Sequence, residues 1–378
     1  MPDLSIFSTT HAAYQFSSIK KHKWTGQSVG KILAEQCTGE SYDGVEEYVY
    51  ENFSDNIEEI LDKIQSATNV FFFIDFMITQ LPEKVLDVLR EKVKTNKIFF
   101  CCHYEPFTVL SFDYLTKHIL SKGIDSDKCW FISANARVFD TANKPYNLNV
   151  AFIDFFSGYH VYGCRDVNVV SSNPDLISKK DYLCLNLKPR PARKFFIDLL
   201  TQYNVYKNGY ISFGGRTIEG KVLDRETLVS YGNDQVLLPS FFDISSWTKN
   251  VCFEIVMEEV NFSNKFSKDE EFVLLSEKIY RAIQHKLPFM VYSKVDYLKY
   301  LRALGFQTFD KLFDESYDDI EDWQLRGRMI ANQVKRFCQK TDTEKNQWVE
   351  QAKEITEFNY NHLLKDENLC RLFLNRVV

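Results

Sequence analysis

The sequence predicts an α/β protein made of two blocks, each organised around a mostly parallel sheet. Three observations carry this. Short apolar strands alternate with helical stretches, the order that places helices on both faces of a parallel sheet. The strands, such as Val70-Phe71-Phe72-Phe73-Ile74, show little polar alternation, as expected of strands covered on both faces. The turn-forming stretch 170–180, with Ser171-Ser172-Asn173-Pro174-Asp175 inside it, separates the two blocks.

In the first block the pattern predicts strands over 69–76, 97–102, 129–133 and 150–156, with helices over 82–95 and 107–122. The second block begins with a strand at 182–187, an Arg-rich helix at 190–203 and a strand at 210–213. Residues 214–239 are turn-rich and polar, which suits a surface excursion. A strand over 251–257 follows. Ser276 is then placed to cap a helix whose buried face is Ile279, Ala282 and Ile283 at three- and four-residue spacing. Lys286 and Pro288 close that helix, and Phe289-Met290-Val291-Tyr292 is a short buried strand. A helix over 297–304, a strand over 306–312 and helix from Ile320 to the end, interrupted at Thr341-Asp342-Thr343, complete the reading.

Composition narrows the class. The 378 residues are 45% apolar and 26% charged, with a net charge of -6, values of an ordinary globular protein with room for sizeable cores. The acidic balance argues against a chain that is basic throughout, the usual footprint of a nucleic-acid binder. Two local basic clusters remain, Lys20-Lys21-His22-Lys23 and Arg90, Lys92, Lys94, Lys97, and both read most simply as solvated faces. Nine cysteines, an odd count without CxxC spacing, exclude a disulfide framework and favour a reducing compartment. The N-terminus lacks an apolar signal core, and no apolar run reaches the ~20 residues that span a bilayer. The expectation is a soluble, cytoplasmic protein without a membrane partner.

Several residues carry candidate chemistry. Asn186-Leu187-Lys188-Pro189-Arg190-Pro191-Ala192-Arg193-Lys194 occupies a strand-to-helix turn, where open α/β sheets bind ligands. The arginine fork matches phosphate oxygens, while a solvated basic first turn is disfavoured by the helix dipole. At Ser276-Glu277-Lys278 a helix N-terminus offers N–H groups and partial positive charge to a diphosphate. Lys278 adds a point charge there, and Glu277 suits a ribose or sugar hydroxyl. An exposed helix start is the plainer reading, and Arg281, one turn on, is spaced to pair with Glu277. Glu258 and Glu259 end the strand 251–257, where a carboxylate would face a ligand. Asp75, His103 and Glu105 lie at or just past strand ends of the first block and are the candidates for a general base, or equally for helix caps. Metal chemistry finds little support: Asp125-Ser126-Asp127 reads as a helix-to-strand turn, and Gly214-Gly215 lacks dinucleotide spacing.

The string Ser276-Glu277-Lys278, with its helix, Pro288 and the strand 289–292, resembles the donor-binding segment of GT-B nucleotide-sugar glycosyltransferases. The match is to the Ser/Thr-Glu-Lys motif of the fucosyltransferase-like families. It continues through Leu304-Gly305-Phe306-Gln307-Thr308-Phe309 and Phe313-Asp314-Glu315-Ser316-Tyr317-Asp318, which are similar to phage-encoded proteins of the glycosyltransferase class. The resemblance covers roughly the second half of the chain.

It implies the GT-B fold, two Rossmann-like domains facing across a cleft. The acceptor domain would be 1–175, the donor domain 181–340, and 341–378 helices of the kind that cross back onto the first domain. The implied donor contacts are Asn186, Arg190, Arg193, Glu258, Ser276, Glu277, Lys278, Arg281, Glu315 and Tyr317. Helix capping by Asp314 or Ser316 explains much of the last motif as well. A UDP- or GDP-linked sugar would be the co-substrate, with no resident cofactor or metal. Large phages glycosylate hydroxymethylated cytosines in their own DNA with glucose or arabinose, so the implied acceptor is 5-hydroxymethylcytosine in double-stranded DNA, in the host cytoplasm. A glycan or protein acceptor, and a non-catalytic nucleotide-binding protein, stay open beside it.

Overall fold

The structure is a computed structural model that describes residues 3–9, 29–51, 53–73, 81–102, 121–124, 127–134, 136, 149–154, 180–186, 190–213, 216–217, 250–258, 273–365 and 372–375. The chain divides into two compact units. The first comprises Met1–Tyr162, Ser263–Leu274 and Cys370–Val378, and the second Gly163–Phe262 and Leu275–Leu369. Each is an α/β unit with a mostly parallel sheet, as the alternation of elements predicts. Among the described residues no helix is long and apolar enough to cross a membrane.

In the first unit the strands are β1 (Leu4–Thr9), β2 (Val45–Tyr50), β3 (Asn69–Phe73), β4 (Ile98–Cys102), β5 (Cys129–Ser133) and β6 (Asn149–Ile153). The helices are α1 (Val29–Thr38), α2 (Ile57–Ser66) and α3 (Glu83–Lys92). These six strands run parallel in the order β6-β5-β4-β3-β1-β2. Parallel register aligns Phe7 with Phe72, Phe72 with Phe100 and Phe100 with Phe131. Their rings stack at 5.0, 6.0 and 5.4 Å, so one aromatic row crosses four strands. Phe71 and Phe99 stack at 5.6 Å in the alternate positions, which point to the opposite face. Helix α1 lies close on β1 because Gly30 allows it: a Cβ there would come within 2.8 Å of the Ile6 side chain.

The first 66 residues thus supply an edge strand, β2, the strand β1 beside it and two helices that the strand pattern did not predict. The C-terminus differs from expectation too. The chain is not helical to the end: Leu372–Asn375 forms a strand, β12, numbered after the five strands of the second unit (β7–β11, below), and pairs antiparallel with β6. An apolar run at that point covers an otherwise open sheet edge, which a solvated helix would leave unpaired.

The second unit contains β7 (Tyr182–Cys184), β8 (Gly209–Phe213), β9 (Arg216–Thr217), β10 (Phe253–Met257) and β11 (Phe289–Tyr292). Its sheet order is β11-β10-β7-β8-β9, parallel except for the β8-β9 pair. Its helices are α4 (Pro191–Gln202), α5 (Glu277–Gln284), α6 (Tyr297–Ala303), α7 (Trp323–Cys338) and α8 (Asp342–Leu364). Ser276 caps α5 as predicted, its hydroxyl accepting from the Lys278 N–H at 3.3 Å. The predicted break at Thr341 is a capping box with Glu344 that starts α8.

The strand predicted over 306–312 is absent. Gly305 ends α6 with φ 92°, and the backbone that follows finds side-chain partners instead of a sheet neighbour. The Asn359 amide bonds both the N–H and the C=O of Gln307 at 2.8 Å, and Glu315 takes the Phe309 N–H at 2.7 Å. A segment whose backbone groups are satisfied this way gains nothing from joining a ladder.

Candidate functional site

The chain leaves β7 for β8 on one flank and later returns to β10 on the other. The carboxyl ends of β7 and β10 are therefore a topological switch point, where open α/β sheets bind ligands. Asn186 follows β7 and Glu258 follows β10; both are buried.

Glu258 is the hub. One carboxylate oxygen accepts from the Ser276 N–H at 3.2 Å and from the Tyr297 hydroxyl at 2.9 Å. The other accepts from the Ser276 hydroxyl at 2.6 Å and lies 3.6 Å from the Lys278 ammonium. Lys278 Nζ also donates to Ser276 Oγ at 3.0 Å and to Glu277 at 2.8 Å. Burial pushes the Glu277 carboxyl up, but the Lys278 charge and hydrogen bond, with Arg281 behind them, bring it below the usual carboxylate range. Glu277 is thus held as an anion beside a cation at the start of α5.

The Arg-rich turn reaches the same place. Arg190 is the N-cap residue of α4, and Pro191 follows at the first helical position, where its missing N–H costs nothing. One turn on, Arg193 is buried and donates to the Met257 carbonyl at 3.1 Å, one peptide from Glu258. Asn186 donates to Cys184 Sγ at 3.3 Å. Burial lifts that thiol to about 12, against the Asn186 bond and the charges of Arg193 and Arg281. Lys194 points elsewhere, pairing with Asp198 at 2.7 Å on the exposed side of α4.

Arg281 departs from the expected pairing. It faces the sheet, is 3% exposed, and pairs with the fully buried Glu254 of β10 rather than with Glu277. Strand alternation puts Glu254 and Glu258 on one face of β10, so α5 packs on a carboxylate row. Burial pushes Glu254 up, against the Arg281 guanidinium. One turn after Arg281, His285 is buried and its imidazole pKa falls to about 4, through burial and then the Arg281 charge.

The Asp314–Asp318 motif is committed to internal bonds. Glu315 accepts from the Thr308 hydroxyl, the Phe309 N–H and Arg302 at 2.7, 2.7 and 3.0 Å, and burial raises its carboxyl against those bonds. The Tyr317 hydroxyl accepts from the Val291 N–H at 3.2 Å, and burial raises it further above the usual phenol range. Asp314 bonds the Ser316 N–H at 3.1 Å, the capping alternative read from the sequence. The structure therefore brings together Asn186, Arg193, Glu258, Ser276, Glu277, Lys278 and Arg281. It gives Glu315 and Tyr317 a different employment.

The general-base candidates Asp75, His103 and Glu105 lie outside the described residues, as do Lys188, Glu259, Asp125 and Lys20-Lys21-His22-Lys23. The second basic cluster is paired with acids or carbonyls: Arg90 with Asp87, Lys94 with Glu91, Lys97 with Glu40, and Lys92 with the Ala67 carbonyl. That is the solvated-face reading.

Two members of the site were not singled out in the sequence, Glu254 and Tyr297. A carboxylate inside the apolar run Cys252-Phe253-Glu254-Ile255-Val256-Met257 was the available signal for the first. Tyr297 had no comparable signal, because its partner Glu258 is 39 residues away in the chain. No known family description matches this sequence, and no curated protein sequence matches it either.

Proposed function

We propose that the protein is a nucleotide-sugar glycosyltransferase of the GT-B class, with the donor's diphosphate held at the carboxyl end of the second unit's sheet. The observation that supports this most is the convergence at one switch point of the Arg190–Arg193 turn and the Ser276-Glu277-Lys278 helix start, joined through Met257 and Glu258. Two cation-bearing turns and a helix N-terminus suit the charge that develops on a departing diphosphate. The acceptor hydroxyl attacks the anomeric carbon, the bond to the diphosphate breaks, and a base in the first unit takes the hydroxyl proton. Asp75, His103 and Glu105 are its candidates. The resemblance in the second half favours 5-hydroxymethylcytosine in DNA as acceptor, ahead of a glycan or protein.

The test offers hydroxymethylcytosine DNA, unmodified DNA, a glycan panel and a protein acceptor with UDP- and GDP-sugars, and reads products by mass spectrometry. Sugar added to hydroxymethylcytosine alone is the expected result, and it should persist in chelator because side-chain cations carry the diphosphate charge. Arg190→Ala and Lys278→Ala should each weaken nucleoside diphosphate binding by about 1.5–3 kcal/mol, the range for charge-assisted hydrogen bonds. Saturable nucleotide binding with no transfer to any acceptor would leave a nucleotide-binding protein; no binding of any nucleotide sinks the site.

A further inference from the structure

Among the described residues Glu258 accepts three hydrogen bonds, and one of the donors lies outside the Ser276-Glu277-Lys278 start: Tyr297, at the first position of α6. We propose that Tyr297 is a positioning residue for the donor site, fixing the Glu258 carboxylate and through it the start of α5. Its consequence for ligand binding rests on the function proposed above; its mechanical part does not.

The geometry makes the chain of contacts specific. A carboxylate on a two-bond stem turns about its last torsion unless both oxygens are held. Here Ser276 holds one oxygen by its hydroxyl and the other by its N–H, and Tyr297 adds the second bond to the latter. Lys278 is placed by the same group, through Ser276 Oγ at 3.0 Å and Glu258 at 3.6 Å. Glu258 itself follows β10 next to β11, its N–H donating to the Tyr292 carbonyl at 3.2 Å. Tyr297 is fully buried, so its hydroxyl exchanges no bond with water and must have this acceptor.

Tyr297 is in turn delivered by a bracket built from the Asp-Glu-Ser-Tyr-Asp stretch. Asp296 sits in the left-handed region at φ 66°, a strained conformation for a non-glycine residue that persists only where its surroundings over-determine it. Those surroundings are visible. The Asp318 carbonyl accepts from the Asp296 N–H at 3.0 Å, and its carboxylate accepts from the Leu298 and Lys299 N–H groups at 2.8 and 3.4 Å. Tyr317 takes the Val291 N–H, and the buried Arg326 donates to the carbonyls of Ser293, Tyr317 and Ile320. The motif therefore holds the β11–α6 turn from behind, and Tyr297 passes that constraint to Glu258.

The experiment uses the full chain with Tyr297→Phe, Glu258→Gln, the double variant and Asp318→Asn. Hydrogen exchange in the peptide covering 275–284 should speed up several-fold in Tyr297→Phe and less in Asp318→Asn, while β10 and β11 keep their protection. Calorimetry with UDP and with GDP should show roughly five- to twenty-fold weaker binding for Tyr297→Phe, and a double variant no weaker than Glu258→Gln alone, the non-additivity expected of residues acting as one unit. Unchanged exchange at the start of α5, or losses that add in the double variant, overturns the proposal. If the native chain binds neither nucleotide, the donor reading fails, and the exchange measurement still decides the role of Tyr297.

Discussion

The two units share a parallel-sheet architecture but fill their interiors differently. In the first, the described hydrophobic core is built on a ladder of phenylalanines, Phe7, Phe72, Phe100 and Phe131, in register across four strands, with Ile60, Val85 and Leu89 packed with them. In the second, one face of β10 carries Glu254 and Glu258, answered by Arg281, Arg193 and Lys278. Hydrophobic burial alone explains the ladder. It does not explain the charges, because taking an ion pair out of water costs about as much as the pair returns. A fold that needs only a core has no reason to gather these five charged groups along one face of β10. The contrast marks the second unit's sheet as the part of the molecule that burial alone does not account for.

The comparison is sharpest under volume-conserving substitution. Phe72→Leu in the first unit should cost less than ~1.5 kcal/mol, whereas Phe72→Ala, which opens a cavity in the ladder, should cost about 3–5 kcal/mol. In the second unit the conservative change is the damaging one. Arg281→Met keeps the volume but strands Glu254, whose second oxygen already lacks a hydrogen-bond partner among the described residues, and should cost about 3–5 kcal/mol. Glu254→Leu with Arg281→Met should recover most of that loss. Denaturant unfolding of the four variants decides it. A mild Arg281→Met single variant would mean the pair is not a buried charge at all, and the contrast between the units would dissolve.

What the sequence made legible follows the range of the interaction concerned. The strands around Val70, Phe99 and Trp130 and the cap at Ser276 were readable because apolar runs and cap residues act locally. The capping box of Thr341 and Glu344 belongs with them, being three residues long in reach. Helix α2 is equally local, since Ile57, Ile60, Leu61 and Ile64 carry the helical spacing. The false strand over 306–312 is a different matter. Gly-Phe-x-Thr-Phe has strand composition, and its backbone bonds are diverted by Glu315, six residues from Phe309, and by Asn359, 52 residues from Gln307, whose role no local pattern announces. At the site, Arg190, Arg193 and the helix start were legible by type and placement. The contacts Glu258–Ser276, Glu258–Tyr297 and Glu254–Arg281, 18, 39 and 27 residues apart, were not, because nothing local prefers them.

Charge in the second unit also gives it a pH signature that a phenylalanine core cannot have. His285 titrates near 4 when folded against 6.5 unfolded, so the unfolded chain holds more protons between those values. Its contribution is complete above about pH 6.5 and is lost as pH falls towards 4, about 3 kcal/mol in all at 1.36 kcal/mol per pKa unit. Asp318 works in the opposite sense. Burial pushes it to about 7 from 3.8, against its two amide bonds, so its protonated form favours folding and stability falls as pH rises through that interval. His285→Gln should therefore flatten the acid loss of stability, and Asp318→Asn should steepen it. Melting curves from pH 4 to 8 that are parallel for both variants and the native chain would remove this distinction between the units.

The smallest effect is expected one residue away from one of the largest. Arg193 and Lys194 are neighbours on α4, yet Arg193 is buried against the Met257 carbonyl while Lys194 meets Asp198 in solvent, both side chains more than 60% exposed. An exposed pair four residues apart on a helix gains little, because water screens it and two long side chains lose freedom. Lys194→Ala should change stability by about 0.5 kcal/mol or less and leave nucleotide affinity alone. Arg193→Ala frees a buried carbonyl at the end of β10 and should loosen the turn that carries Glu258, lowering both stability and nucleotide affinity. The pair of variants, measured side by side by unfolding and by calorimetry, separates burial from mere positive charge. Equal losses of affinity in the two would show that the helix start attracts its ligand by net charge, and that the buried network at the switch point contributes nothing to binding.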